Sequence, residues 1–226
     1  MFDELTVKAL YDLNQTDAAR FLEGYTFPWE ALPHIGEFIL EFISGIQASD
    51  MAVDYYSPAD GVLISRSAVT APSASITGPC FIGAGTEVRH CAFIRGNAFI
   101  GSGAVVGNST ELKNVILFNG VQVPHYNYVG DSILGYKAHM GAGSITSNVK
   151  SDKLLVKVHA KDGDIETGLR KFGAMIGDQV EVGCGSVLNP GTVVGRNTNI
   201  YPLSSVRGVV AADSIYKKQG EVALKI

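Results

Sequence analysis

Every sixth residue from position 64 to 118 follows one rule: Ile64, Thr70, Ile76, Ile82, Val88, Ile94, Ile100, Val106, Leu112 and Phe118. Only Thr70 among them is not large and apolar. Four places after each stand Ala68, Ala74, Cys80, Thr86, Ala92, Ala98, Ala104, Thr110, Ile116 and Gln122, mostly small residues. A helix repeats every 3.6 residues and a strand every 2.0, so a sixfold period belongs to a larger unit. Short strands turning corners at a fixed interval meet that demand, with the bulky residue inside and the small one at the corner. The spacing therefore predicts an all-β chain, a parallel β-helix built from hexapeptide repeats.

The rule returns at Tyr128, Leu134, Met140 and Thr146, and again at Ile176, Val182, Leu188, Val194, Ile200 and Val206. Together these make twenty hexads. At three hexads to an 18-residue coil, the solenoid has between six and seven coils. The period fixes neither three sides nor the hand, since parallel crossovers are right-handed in about 98% of cases.

Other segments leave the rule. Residues 1–60 carry helical patterns, one capped by Thr16 and running to Glu23. A second, from Pro28 to Ile46, has Leu32, Ile35, Phe38, Ile39, Phe42, Ile43 and Ile46 at helical spacing. With Trp29 and Phe38 they are expected to form a helical N-terminal cap over the open end of the solenoid; a dock for a partner is the alternative. The solenoid is expected over 61–210, with a tail at 211–226. Within it, residues 147–173 break away. Leu154, Val156 and Val158 alternate with Leu155, Lys157 and His159, and Asp162-Gly163 reads as a turn, so a projecting β-hairpin is inserted here.

Two features suggest chemistry. Arg95 and Lys113 each follow a core position and lie 18 residues apart, which stacks two cations in adjacent coils. An anion such as phosphate between them would relieve the repulsion; Glu111 or another carboxylate could do the same. The ladder also slips by two residues through Pro124-His125-Tyr126-Asn127, which places His125 at a register break, with His139 fourteen residues further on.

Composition narrows the classes. The formal net charge is −4 without a Lys/Arg run, which argues against nucleic acid or an anionic membrane as partner. No basic leader or long apolar run is present, and the three cysteines lack metal-ligand spacing, so a reduced, cytoplasmic chain is expected. The 26 glycines exceed the usual ~7% and suit a chain with many corners.

The runs Glu111-Leu112-Lys113, His125-Tyr126-Asn127-Tyr128-Val129-Gly130-Asp131-Ser132 and Met140-Gly141-Ala142-Gly143-Ser144-Ile145-Thr146-Ser147-Asn148 carry a resemblance. They resemble the acetyltransferase domain of the bifunctional sugar-1-phosphate nucleotidylyltransferase/acetyltransferases, of the N-acetylglucosamine-1-phosphate uridylyltransferase type. With the hairpin and Gly168-Leu169-Arg170-Lys171-Phe172-Gly173-Ala174, the chain looks closer to the archaeal branch, and the match covers roughly residues 60–210. The resemblance implies a left-handed coil, a homotrimer, and acetyl-CoA as co-substrate with no metal required. It implies an amino-sugar 1-phosphate as acceptor, with glucosamine and galactosamine both open. Carried across, the base falls on His125, the phosphate ligands on Arg95 and Lys113, and sugar contacts on Tyr128 and Asn148. A sugar-contacting Asn of the family is His139 here, and a Tyr is Val149.

The Gly141-Ala142-Gly143 corner would offer backbone N–H groups to the oxyanion of acetyl transfer. The nucleotidylyltransferase half is not matched within these residues, so a separate nucleotidylyltransferase is a possible partner. Two rivals stand beside this reading. One is a non-catalytic module that binds sugar phosphate or a partner. The other is a zinc hydratase like the γ-class carbonic anhydrases, which needs three converging imidazoles; His90, His125, His139 and His159 show no common column by spacing.

Overall fold

The computed structural model describes residues 2–218 and 221–225. Parallel strands stack on three faces. On the first, Val62–Ser65, Cys80–Ile82 and Ala98–Ile100 lead to the second halves of Glu111–Leu117 and Tyr128–Leu134, then to Ala174–Ile176, Thr192–Val194 and Val209–Val210. The second face is a nine-stranded sheet whose parallel rungs run from Val69–Thr70 to Ser214–Lys218. The third starts at Ser75–Ile76 and Phe93–Ile94 and ends at Ser205–Val206. The stack is therefore longer than twenty hexads imply, and Val210 and Tyr216 continue the buried ladder into the expected tail. An antiparallel strand closes one face at each end of the stack, Tyr55–Tyr56 on Val62–Ser65 of the first face and Glu221–Leu224 on Ser214–Lys218 of the second. Both shield edges that would otherwise offer unpaired backbone groups.

The phase slip lies elsewhere than the spacing suggests. Ile100 pairs with Leu117 and Leu117 with Leu134, so these coils are one residue short of eighteen. Three residues, Arg95-Gly96-Asn97, turn the corner after Ile94, but two suffice after Leu112 (Lys113-Asn114) and after Val129 (Gly130-Asp131). The single two-residue slip at Pro124–Asn127 is thus two one-residue deletions at a different corner. Leu117 and Val129, not Phe118 and Tyr128, point inward. Phe118 is buried under Tyr11, with ring centroids 5.0 Å apart, and Tyr128 faces outward. Asn114 and Asp131 take the left-handed conformation at the tightened corners (φ 56° and 47°), which Asn and Asp tolerate better than most residues.

The N-terminal segment caps the first edge only through Tyr55–Tyr56. It is a strap along the whole first face. The outward column there is apolar throughout, Leu63, Phe81, Phe99, Ile116, Ile133, Met175 and Val193 in register and buried. The Ile35–Gln47 helix covers its early rungs with Ile35, Ile39, Ile43 and Ile46 buried, while Phe38 and Phe42 lie 5.2 Å and 5.1 Å from the Phe99 ring. Pro33 keeps the preceding Pro28–His34 turn in tighter 3₁₀ form, and Trp29 stacks at 5.8 Å on Phe172. Leu5 and Leu10 reach the late rungs at Val193 and Val210. Hydrogen bonds fix the strap lengthwise. Asp178 accepts the Asp12 N–H at 2.6 Å, the Tyr11 hydroxyl donates to the Ile133 carbonyl at 3.3 Å, and Asn114 donates to the Leu32 carbonyl at 3.1 Å.

The inserted segment does form a hairpin, Lys157–Ala160 against Gly163–Glu166, with Lys161-Asp162 as its loop. Its loop and most of its second strand are exposed, but its first strand lies on the solenoid. Val156 and Val158 are fully buried, and the chain lies across the corner at Gly191 and Gly208. Among the described residues no helix is long and apolar enough to cross a membrane.

Candidate active site

The corner between the second and third faces is the first half of the site. Cys91, Ser109, Tyr126, Gly143, Gly185 and Leu203 succeed one another there with positive φ, one per coil. The residues just before them form a column in which His90, Asn108, His125, Ala142 and Cys184 follow in turn. His90 and His125 therefore do share a column, two coils apart with Asn108 between them. His125 is exposed, and its ring makes no hydrogen bond to any described residue. Its strand is held close by Pro124, which fits over Gly107: a Cβ at 107 would fall 1.6 Å from the Pro124 carbonyl oxygen. The glycine corner sits one coil on, and the Gly143 N–H donates to the His125 carbonyl at 3.0 Å. The Gly141 N–H is spent on Val182 at 2.7 Å. That leaves the N–H of exposed Ala142 as the corner's one backbone donor without a bond among the described residues.

The second half lies along the end of the third face. The Arg95 N–H donates to the Leu112 carbonyl, which sets Arg95 and Lys113 at equivalent places on successive rungs, ~4.8 Å apart. Each has a carboxylate partner. Arg95 pairs with Glu111 at 2.7 Å and lies over the Phe93 ring, and Lys113 pairs with Asp131 at 3.0 Å. Asp131 is buried and is the hub of this half. It also accepts from Asn114 at 3.0 Å and from Asn148 at 2.5 Å, and Asn148 donates in turn to the Tyr128 hydroxyl at 3.2 Å. Burial, and after it the Asp131 charge, push the Tyr128 hydroxyl pKa up. Thus Arg95, Lys113, Tyr128 and Asn148 are gathered on one stretch of surface, which the corner 126–127 joins to His125.

His139 is not part of this network. It lies on the second face, its Nδ1 2.7 Å from Glu181 Oε2. Among the described residues no group of three or more His, Cys, Asp or Glu is placed to share a metal ion.

Comparison with known proteins gives the family. The model of the GMPPB C-terminal domain matches residues 76–170. The bifunctional protein GlmU of Methanococcus maripaludis strain C5 is 33% identical over 197 residues, 87% of this chain and 47% of that protein. A protein of Escherichia coli K12 named as a putative uncharacterized acetyltransferase, YaiX, is 31% identical over 192 residues, 77% of this chain and 80% of its own. The chain belongs to the hexapeptide-repeat acetyltransferases. Its fold is a parallel β-helix, and it spans about half the length of the GlmU relatives it matches. Among solved structures, a hexapeptide transferase family protein from Anaplasma phagocytophilum aligns with 15% identity and TM-score 0.41, over 74% of this chain and 81% of that one.

Sequence reasoning about this acetyltransferase missed Asn114, Asp131 and the ladder they build. The signal was present: Asn97, Asn114, Asp131 and Asn148 lie seventeen residues apart, the length of the shortened coil. Gly130 was also passed over. Its missing Cβ would stand 2.5 Å from the Tyr128 hydroxyl and 3.0 Å from Asn148 Nδ2. The Gly130→Ala enzyme is therefore expected to fold, because only side-chain ends must move, but to lose the Tyr128–Asn148 hydrogen bond. A structure of the variant checks this, and a Tyr128 hydroxyl still within hydrogen-bond distance of Asn148 would contradict it.

Proposed function

We propose that this acetyltransferase moves an acetyl group from acetyl-CoA to the amine of an amino-sugar 1-phosphate, glucosamine-1-phosphate or galactosamine-1-phosphate. The observation that carries the reading is the run of Arg95, Lys113, Tyr128 and Asn148 along one edge, joined to His125 and the Gly141–Gly143 corner. Relatives named for sugar-1-phosphate nucleotidylyltransferase and acetyltransferase activity support it, one from Sulfurisphaera tokodaii being 36% identical over 112 residues.

Each residue has a task. Arg95 and Lys113 take the sugar phosphate, Arg95 exchanging its partly exposed partner Glu111 for a doubly charged anion while Lys113 stays anchored on buried Asp131. Tyr128 and Asn148 hydrogen-bond the sugar hydroxyls and so fix the amine near His125. An ammonium has no lone pair to attack with, and histidine is the side chain whose ordinary pKa, ~6.5, suits proton removal near neutrality. His125 accepts that proton as nitrogen adds to the thioester carbon. The Ala142 N–H faces the oxygen on which charge develops. The C–S bond then breaks, and the thiolate leaves with a proton. The reading includes a homotrimer, testable by light scattering.

Product analysis tests it. After incubation with acetyl-CoA, mass spectrometry should find the N-acetyl derivative of the sugar phosphate; unchanged amino sugar with both acceptors would overturn the assignment. Arg95→Gln should raise the KM for the phosphate-bearing acceptor by about tenfold and leave that for acetyl-CoA alone.

A further inference from the structure

The small-residue column of the second corner has one outlier. Ala92, Thr110, Asn127, Ser144, Ser186 and Ser204 occupy it in successive coils, and only Asn127 carries a branched amide. The position is closed to solvent, with Asn127 2% exposed. An amide there is costly unless its groups are satisfied. It is satisfied in a particular way. Its Oδ1 accepts the His125 N–H at 3.1 Å, within its own coil. Its Nδ2 donates into the next coil, to the Gly141 carbonyl at 2.9 Å, the Ser144 carbonyl at 3.1 Å and the Ser144 hydroxyl at 3.2 Å. These acceptors bracket Ala142. One buried side chain therefore clamps the backbone of His125 to both sides of the glycine corner. Its own N–H is held from the preceding coil by Thr110 Oγ1 at 3.4 Å.

We infer that Asn127 is a positioning residue, which sets the spacing between the His125 imidazole and the Ala142 N–H. This rests on the acetyl-transfer reading, where those two groups act on the same carbonyl addition. Neither group has another side chain to orient it, as the His125 ring is unbonded and Ala142 lies on an exposed turn. The clamp is the only side-chain tie between them among the described residues.

The test is Asn127→Ala, since alanine already occupies this corner at Ala92 and the coil accommodates it. Hydrogen exchange of the His125 and Gly143 amides is measured together with kcat and both KM values. The expected result is faster exchange at those two amides and unchanged exchange at Val106 and Leu112. With it, kcat should fall about a hundredfold, the usual cost of a ~1 Å misplacement, while both KM values stay within about threefold.

Asn127→Thr should recover most of kcat. Thr110, one coil earlier, shows that a hydroxyl at this corner donates to the next coil (to the Val123 carbonyl, 2.9 Å) and accepts from it. Unchanged exchange and unchanged kcat in the alanine variant would overturn the proposal, as would faster exchange spread through the whole coil. Should the unmodified protein transfer no acetyl group, the acetyl-transfer reading falls. The exchange data then decide alone whether Asn127 ties strand to corner, and an unaltered Gly143 amide would end the inference too.

Discussion

Replacing His125 with alanine is expected to stop acetyl transfer, lowering kcat by about 10²–10⁴, while the thermal unfolding curve stays where it was. Both halves follow from placement. The side chain is exposed and makes no hydrogen bond among the described residues, so its removal opens no cavity and strands no buried partner. The strand keeps its place through the backbone, by the bonds from Gly143 to the His125 carbonyl and from Tyr126 to the Asn108 carbonyl. Retained turnover would show that another group accepts the proton. His139 is poorly placed to do so, being tied to Glu181 on the second face.

The largest effect on stability is expected at Phe99. It is fully buried and lies at the centre of an aromatic cluster, with Phe81 at 4.9 Å, Phe42 at 5.1 Å and Phe38 at 5.2 Å. Phe99→Ala removes the contact that seats the Ile35–Gln47 helix on the first face. A loss of about 3–5 kcal/mol is expected, a large share of the roughly 5–15 kcal/mol that holds a domain together. Leu203→Ala is the control, because Leu203 is 85% exposed and should shift stability by under about 0.5 kcal/mol. Denaturant unfolding of the two variants compares them. Equal midpoints would mean that the strap does not contribute to the stability of the solenoid.

What the sequence made legible was set by how local each rule is. The inward ladder was read directly, since core filling constrains every hexad equally. Three-sidedness was legible too but in a different column: Leu63, Phe81 and Phe99 are apolar, outward-facing and eighteen residues apart. That column also carried the signal of a covered face, which the expectation of an end cap overlooked. The phase slip was misplaced because Phe118 and Tyr128 are large and apolar enough to pass for core, though one packs under Tyr11 and the other faces the site. The register argument for His125 therefore falls, and its position on the corner beside Ala142 takes its place. Stacking of Arg95 on Lys113 followed from spacing, but their pairing with Glu111 and Asp131 depends on coil length and side-chain reach. Asn127 stood in the sequence only as the end of the apparent slip, because hydrogen bonds between coils leave no mark in spacing.

The most direct measurement is the rate of thiol release from acetyl-CoA with four acceptors: glucosamine-1-phosphate, galactosamine-1-phosphate and each sugar without its phosphate. The account predicts release that requires the amine, is strongly favoured by the 1-phosphate and vanishes in the His125→Ala enzyme. Release that ignores the phosphate would contradict the role given to Arg95 and Lys113, and no release with any acceptor would contradict the acetyl transfer itself.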